Sequence, residues 1–270
     1  MKKLILPLII MFACTSLHAG KFKVLLKLDY TARPEWSYTL DYHSECVITD
    51  TDSISRIRTR VLCGITAKPL APKMDRMSFT INSANVDSKL FTPEQQNNII
   101  SKLTGSTFGL ALIGGCPVVD TLSSFTVGEL SEWDLVLQFA KLLPFMPRKP
   151  VRKGYSWDEN GVFMVRTSLG DIPCEVYRLY TIDSLAGTGN TAYISWKFRY
   201  AAAKLAMDSA SILKKVPVSG NGKGTAEIDA LNHVLMQANV EFQTPIATYG
   251  TTRINWIEKT ILRYLPGGKQ

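Results

Sequence analysis

Histidine is nearly missing from this 270-residue chain: there are three, and only His43 and His233 lie beyond the first twenty positions. They stand far apart, each on an expected strand or turn. A Ser-His-Asp or Cys-His site needs a histidine beside its nucleophile, and no Gly-x-Ser-x-Gly elbow presents a serine. Both histidines therefore read as ordinary surface residues. Metal-ligand spacings are missing too: there is no Cys-x-x-Cys, His-Glu-x-x-His or calcium-loop pattern. Gly220-Asn221-Gly222-Lys223-Gly224-Thr225 looks like a phosphate loop. It lacks the Gly-Lys-(Ser/Thr) ending, and strand rather than helix residues follow, so it reads as a glycine-rich turn. Asp158 and Glu159 are adjacent, and adjacent strand residues point to opposite faces, which disqualifies them as a glycosidase pair. The expectation is a protein without catalytic residues, cofactor or metal, with a hydrolase as the remaining alternative.

Long apolar runs are also lacking, with one exception at the start. Leu4 to Leu17 is almost wholly apolar, but its 14 residues fall short of the roughly 20 that cross a bilayer as a helix. Lys2 and Lys3 precede it, Pro7 interrupts it, and Leu17-His18-Ala19 offers a small-residue cleavage site. This pattern is that of a secretory signal over residues 1–19, cut between Ala19 and Gly20. The alternative is lipoprotein processing with lipid on Cys14, against which Met11 and Phe12 are bulky neighbours. Either route exports the chain to the periplasm or cell envelope, with no transmembrane helix in the mature protein.

Charge is modest. Charged residues make up 20% of the chain, and 31 Lys and Arg against 23 Asp and Glu leave +8, or +6 once Lys2 and Lys3 are removed. That excess favours anionic partners such as acidic lipid or polysaccharide. Nucleic acid is excluded by compartment. Of the five cysteines, Cys46, Cys63, Cys116 and Cys174 remain after either processing route, an even number where disulfides persist. Cys46 and Cys63 flank an expected hairpin turn at Asp50-Thr51-Asp52-Ser53 and are expected to pair. The alternative is four free, buried thiols.

What is present is mostly strand pattern. From Tyr38 to Ile48 apolar or small residues alternate with polar ones, the period of a half-buried strand. Arg56, Arg58 and Arg60 alternate with Ile57, Thr59 and Val61, so the arginines share a face where Asp41, His43 and Glu45 can answer them. This is an anion site or a cross-strand-paired solvated face, and the latter is preferred. Further strands are expected at 108–113, 117–120, 162–167, 173–184, 191–200, 223–229, 234–244 and 253–264, with a loop from Ala201 to Lys215. Thr92-Pro93-Glu94-Gln95 starts a helix with a capping box, ended by Gly105. A second helix is expected from about Glu129 to Leu143, where Trp133, Val136, Phe139, Leu142 and Leu143 recur at helical spacing until Pro144 and Pro147 stop it.

The stretch Arg148-Lys149-Pro150-Val151-Arg152-Lys153-Gly154-Tyr155-Ser156-Trp157 carries four positive charges in six residues before two aromatics. Arg148, Lys149, Arg152 and Lys153 are candidate contacts for an anion or partner. The position after a proline-stopped helix also makes it a junction between an N-terminal section, 20–147, and a C-terminal section, 148–270, of one continuous fold. Tyr155 and Trp157, like Trp36 and Tyr38, stand two residues apart and share a sheet face.

The second half resembles a group of uncharacterised secreted bacterial proteins and lipoproteins, many designated only as a domain of unknown function. Pro150-Val151-Arg152-Lys153-Gly154-Tyr155-Ser156-Trp157 matches their Pro-Val-x-x-Gly-x-x-Trp opening. Gly222-Lys223-Gly224-Thr225-Ala226-Glu227-Ile228-Asp229 matches a Gly-x-Gly-x-small-x-apolar-Asp strand, after which that group has a glycine where this chain has Asn232-His233. The resemblance implies a curved antiparallel sheet similar to the half-barrels of periplasmic lipoprotein carriers, and no active residues. The expectation is a mainly β (α+β) protein, a curved antiparallel sheet or half-barrel with two helices packed against it. Its expected role is a non-enzymatic binding or carrier module for an apolar ligand or envelope partner, the alternative being a structural or interaction protein of the envelope.

Overall fold

A computed structural model describes residues 23–29, 33–70, 76–113, 116–120, 138, 141–167, 170–202, 219–249 and 252–266. The expected leader, its cleavage point at Ala19 and Gly20, and Cys14 lie outside them. Eleven strands form one antiparallel sheet: β1 (Trp36–Thr49), β2 (Ile54–Pro69), β3 (Arg76–Ser88), β4 (Thr107–Ile113), β5 (Cys116–Asp120), β6 (Ser156–Thr167), β7 (Gly170–Ala186), β8 (Thr191–Ala202), β9 (Ser219–Asp229), β10 (Val234–Tyr249) and β11 (Thr252–Tyr264). Their order across the sheet is β5-β4-β3-β2-β1-β11-β10-β9-β8-β7-β6. The chain walks outward from β1 to one edge, crosses to the far edge at β6, and walks back until β11 closes against β1.

One helix, α1 (Pro93–Leu103), has the capping box read from the sequence: Thr92 accepts from the Gln95 N–H and the Gln95 side chain accepts from the Thr92 N–H. The expectation of two helices packed on the sheet is corrected. The described residues form an open, curved antiparallel sheet with this single α-helix. Most of 129–143 lies outside the described residues, and Gln138, Lys141 and Leu142 are helical. Proline spacing stops the pattern where expected, and the strap that follows, Leu143 to Tyr155, is extended chain and turns.

Alternation assigns one sheet face to the core. Trp36, Tyr38, Leu40 and Tyr42 of β1, Val61, Cys63 and Ile65 of β2, and Ile194, Trp196, Phe198 and Tyr200 of β8 are all buried on it. Rings there meet edge to face or offset, as their quadrupoles prefer: Trp157 stacks on Tyr180 at 5.1 Å, Tyr180 leans on Trp196 at 5.7 Å, and Tyr200 stacks on Phe242 at 4.7 Å. The strap lies over this covered face. Its Phe145 carbonyl accepts from Trp157 Nε1 at 3.1 Å, and Val151 bridges to Val24 of the N-terminal segment. Gly154, at φ 78°, makes the turn into β6.

Two local readings change. The glycine-rich run at 220–224 is strand interior, within β9, and not a turn. Gly220, Gly222 and Gly224 lie on the covered face under the rings of Tyr200, Phe198 and Trp196, where any Cβ would overlap them. Glycine appears there because a neighbouring ring fills the side-chain position. The Cys46–Cys63 disulfide is also corrected. The hairpin turn is where expected, with Asp50 N–H donating to Ser53, but β1 and β2 pair Cys46 with Ile57 and Cys63 with Leu40. Six positions of strand separate the two cysteines, about 20 Å at 3.3 Å per residue, and both are free. Burial pushes the Cys63 thiol up to about 12 and the Cys174 thiol up to about 11. His233 takes the left-handed conformation, at φ 59°, beside an Asp229 carboxylate that accepts from Leu231 and Asn232.

Candidate binding groove on the open face

The other sheet face has no strap among the described residues. Side chains there stand in rows across the strands, because antiparallel partners point the same way. One row runs Tyr177, Arg199, Asn221, Gln243, Ile257, and the parallel row runs Leu179, Lys197, Lys223, Glu241, Lys259. Between them the backbone of Phe198, Gly222, Phe242 and Glu258 forms the floor. These residues line a trough of about 980 Å³ that crosses β7 to β11, roughly 19 Å at about 4.8 Å per strand spacing. Its ends are apolar and unusually bare: Tyr177 and Leu179 are 46% and 44% exposed at one end, Ile257 37% at the other.

Charge along this face is uneven. On β1 and β2 the arginine stripe is answered, as preferred from the sequence. Arg60 donates twice to Asp41 at 2.9 Å, Arg58 donates to Glu45 at 2.9 Å, and Arg56 lies 3.6 Å from Glu45. His43 Nε2 lies 2.9 Å from Asp41. The hydrogen bond from Arg60 holds the Asp41 carboxyl below its ordinary range against the opposing effect of burial. On β8 and β9 the pattern reverses. Lys197 stands directly opposite Lys223. Lys223 is paired with Glu241 at 2.8 Å, and Lys259 approaches the same carboxylate at 4.0 Å. Lys197 and Arg199 have no carboxylate within ion-pair distance among the described residues.

A second polar cluster lies on the covered face, between the helical residues Gln138 and Lys141 and strands β1 and β11. Lys141 Nζ meets Glu258 Oε2 at 3.2 Å, with 9% and 13% of the two side chains exposed. Tyr42 donates to the same carboxylate at 2.8 Å, Thr260 donates to Gln138 at 3.0 Å, and the ammonium sits 4.1 Å from the Phe242 ring centroid. Burial raises the Glu258 carboxyl's pKa, but the Lys141 charge and the hydrogen bonds from Tyr42, Gln138 and Lys141 outweigh it and hold the group ionised. This cluster ties the helical residues Gln138 and Lys141 to the sheet.

The sequence-selected residues fall elsewhere. Arg148, Lys149, Arg152 and Lys153 are all exposed on the strap, and none lines the trough or the two adjoining grooves. Lys149 instead lies 5.5 Å from the Tyr155 ring centroid. Lys197, Arg199 and Lys223 were missed because each is one polar position in an alternating strand. Only the register between strands gathers them. Among the described residues no group of three or more His, Cys, Asp or Glu gathers as a metal site, and no helix is long and apolar enough to cross a membrane.

No family model matches the chain, and no curated protein matches it. Among solved structures, lipovitellin, described for its lipid–protein interactions, is 10% identical, with a TM-score of 0.52 over 90% of this chain. This chain spans 26% of that one, so the likeness is to one part of a larger protein and shows the sheet fold alone. An outer membrane lipoprotein-sorting protein domain from Vibrio parahaemolyticus is 9% identical over 86% of this chain and 87% of that one, with a TM-score of 0.17. A DUF1329 family protein from Desulfovibrio piger has the same identity, coverage and TM-score. Scores that low carry no argument about fold or function.

Proposed function

We propose that this protein is a non-enzymatic binding or carrier module of the cell envelope that holds an apolar ligand against the open face of its sheet. The observation that carries the proposal is the trough across β7 to β11, with Tyr177, Leu179 and Ile257 bare at its ends. A concave site of this size, with apolar lining and a few polar groups, is the form that small-molecule sites take. The likeness of the sheet to part of lipovitellin is compatible with that use. The export signal read from residues 1–19 supplies the compartment.

The test is uptake of an uncharged apolar dye, N-phenyl-1-naphthylamine, by the purified protein, with native mass spectrometry of protein taken gently from envelope fractions. Dye fluorescence is expected to rise on binding and to fall several-fold in Tyr177→Ser/Leu179→Ser. Protein that never carries lipid and never takes up the dye sinks the reading. A second reading, an interaction protein meeting an anionic envelope component, is favoured by the exposure of Arg148, Lys149, Arg152 and Lys153. Salt-sensitive co-sedimentation with envelope fractions, lost when those four are neutralised, is its signature.

A further inference from the structure

We propose that the trough contains a head-group subsite for a lipid with a phosphomonoester head, formed by Lys197, Arg199 and Lys223; the inference rests on the binding-module reading. The first ground is an arrangement that is unfavourable without a ligand. Lys197 and Lys223 are directly opposed on neighbouring strands, and like charges so placed repel. Arg199 adds a third cation two residues along β8 on the same face. Glu241 is the carboxylate lining this part of the trough, and it is engaged by Lys223 and approached by Lys259. The other lining acid, Glu258, turns its carboxylate to Lys141 and Tyr42 on the covered face, so four lining cations, Lys197, Arg199, Lys223 and Lys259, face Glu241 alone, a surplus of three charges.

The second ground is that the same sheet face shows what a self-satisfied version looks like. Across β1 and β2 each arginine has a carboxylate, whereas Lys197 and Arg199 have none among the described residues. A phosphomonoester carries roughly −1.5 to −2 charge and three acceptor oxygens, which suits the surplus better than a single carboxylate charge. Arginine's fork binds phosphate oxygens in pairs. The third ground is polarity along the trough. Tyr177 is the cross-strand partner of Arg199 and Leu179 that of Lys197, so the exposed apolar side chains of β7 begin where the cations end. Asp158 of β6 lies one strand further, with Leu179 between it and Lys197. A lipid would therefore lie with its head over β8 and β9 and its chains over β7 towards the exposed Val162 of β6.

The test is calorimetric titration of the protein with dihexanoyl phosphatidate, short enough to stay monomeric, alongside dihexanoyl phosphatidylcholine and octanoate. Phosphatidate is expected to bind at least tenfold more tightly than either. Lys197→Gln/Arg199→Gln is expected to lose at least tenfold for phosphatidate, to change phosphatidylcholine binding less than twofold, and to melt at the wild-type temperature. Equal binding of phosphatidate and phosphatidylcholine, or an unchanged variant, overturns the subsite. Octanoate binding as tightly as phosphatidate overturns the phosphate assignment. If N-phenyl-1-naphthylamine binds while phosphatidate gains no preference, the subsite fails and the module stands; if no probe binds, both fall.

Discussion

The two faces of this sheet treat charge in opposite ways. On the covered face one ammonium and one carboxylate, Lys141 and Glu258, are nearly dry and fully engaged by Tyr42, Gln138 and each other. On the open face cations are numerous and wet; on β1 and β2 each arginine reaches a carboxylate, Arg56 and Arg58 sharing Glu45 and Arg60 meeting Asp41, while on β8 and β9 Lys197 and Arg199 have none among the described residues. Burial explains the first, since an unpaired charge there is intolerable. Water tolerates the second, so the open face is free to keep charge for a ligand.

Breaking the covered pair is expected to have the largest effect. Lys141→Met leaves Glu258 ionised and without its cation on the covered face, at a cost of about 3–5 kcal/mol in urea unfolding. Lys141→Met/Glu258→Leu should recover most of it, and a double variant as unstable as the single would mean the loss does not come from the carboxylate left unpaired. The same carboxyl sets an acid limb. Its folded pKa lies below the ordinary 4.5, so its contribution is full above about pH 4.5 and is lost as pH falls through the folded value. Glu258→Gln should flatten that part of the stability profile.

Next comes Trp157, half-buried on the covered face against Tyr180 and the Phe145 carbonyl. Trp157→Ala is expected to cost about 3 kcal/mol, read as a shift in the urea midpoint at constant slope. On the open face the effects shrink. Asp41→Asn removes the carboxylate that answers Arg60 and His43 and, with Arg60 largely in water, should cost about 1 kcal/mol at neutral pH. The difference from wild type should shrink as pH falls below the ordinary 3.8 and vanish once pH is below the depressed folded value, where the carboxyl is protonated in both states. Smallest is Lys197→Gln/Arg199→Gln, expected to stay within about 0.5 kcal/mol of wild type. A large loss would show that these cations are structural and would erase the contrast between the two faces.

Much of this architecture was legible in particular residues. Tyr38 to Ile48 and Arg56 to Val61 announced their strands, their shared turn and the salt-bridged stripe, because alternation encodes face and short loops encode neighbours. Thr92 and Gln95 announced α1 through side-chain capping that is local in sequence. Trp157 was readable as a packing residue, since it shares a face with Tyr155 at the opening of a strand. The glycines of β9 were misread because the ring that replaces each missing side chain belongs to β8, twenty or more positions earlier.

By itself, then, the sequence determined most of the strands outside the glycine-rich run of β9, which side of each is apolar, and that the metal and catalytic patterns sought are missing. Those are local properties, written in a period of two and in motifs of a few residues. Beyond neighbours joined by a short turn, the tertiary structure alone decided which strands meet, and it alone set the register. It brought Tyr42 to Glu258, 216 positions away, set Cys63 opposite Leu40 and away from Cys46, and lined up Lys197 with Lys223. Period-two alternation is unchanged by sliding a strand two residues along its neighbour, so register is settled by packing on the covered face. The candidate site on the open face is a consequence of that packing.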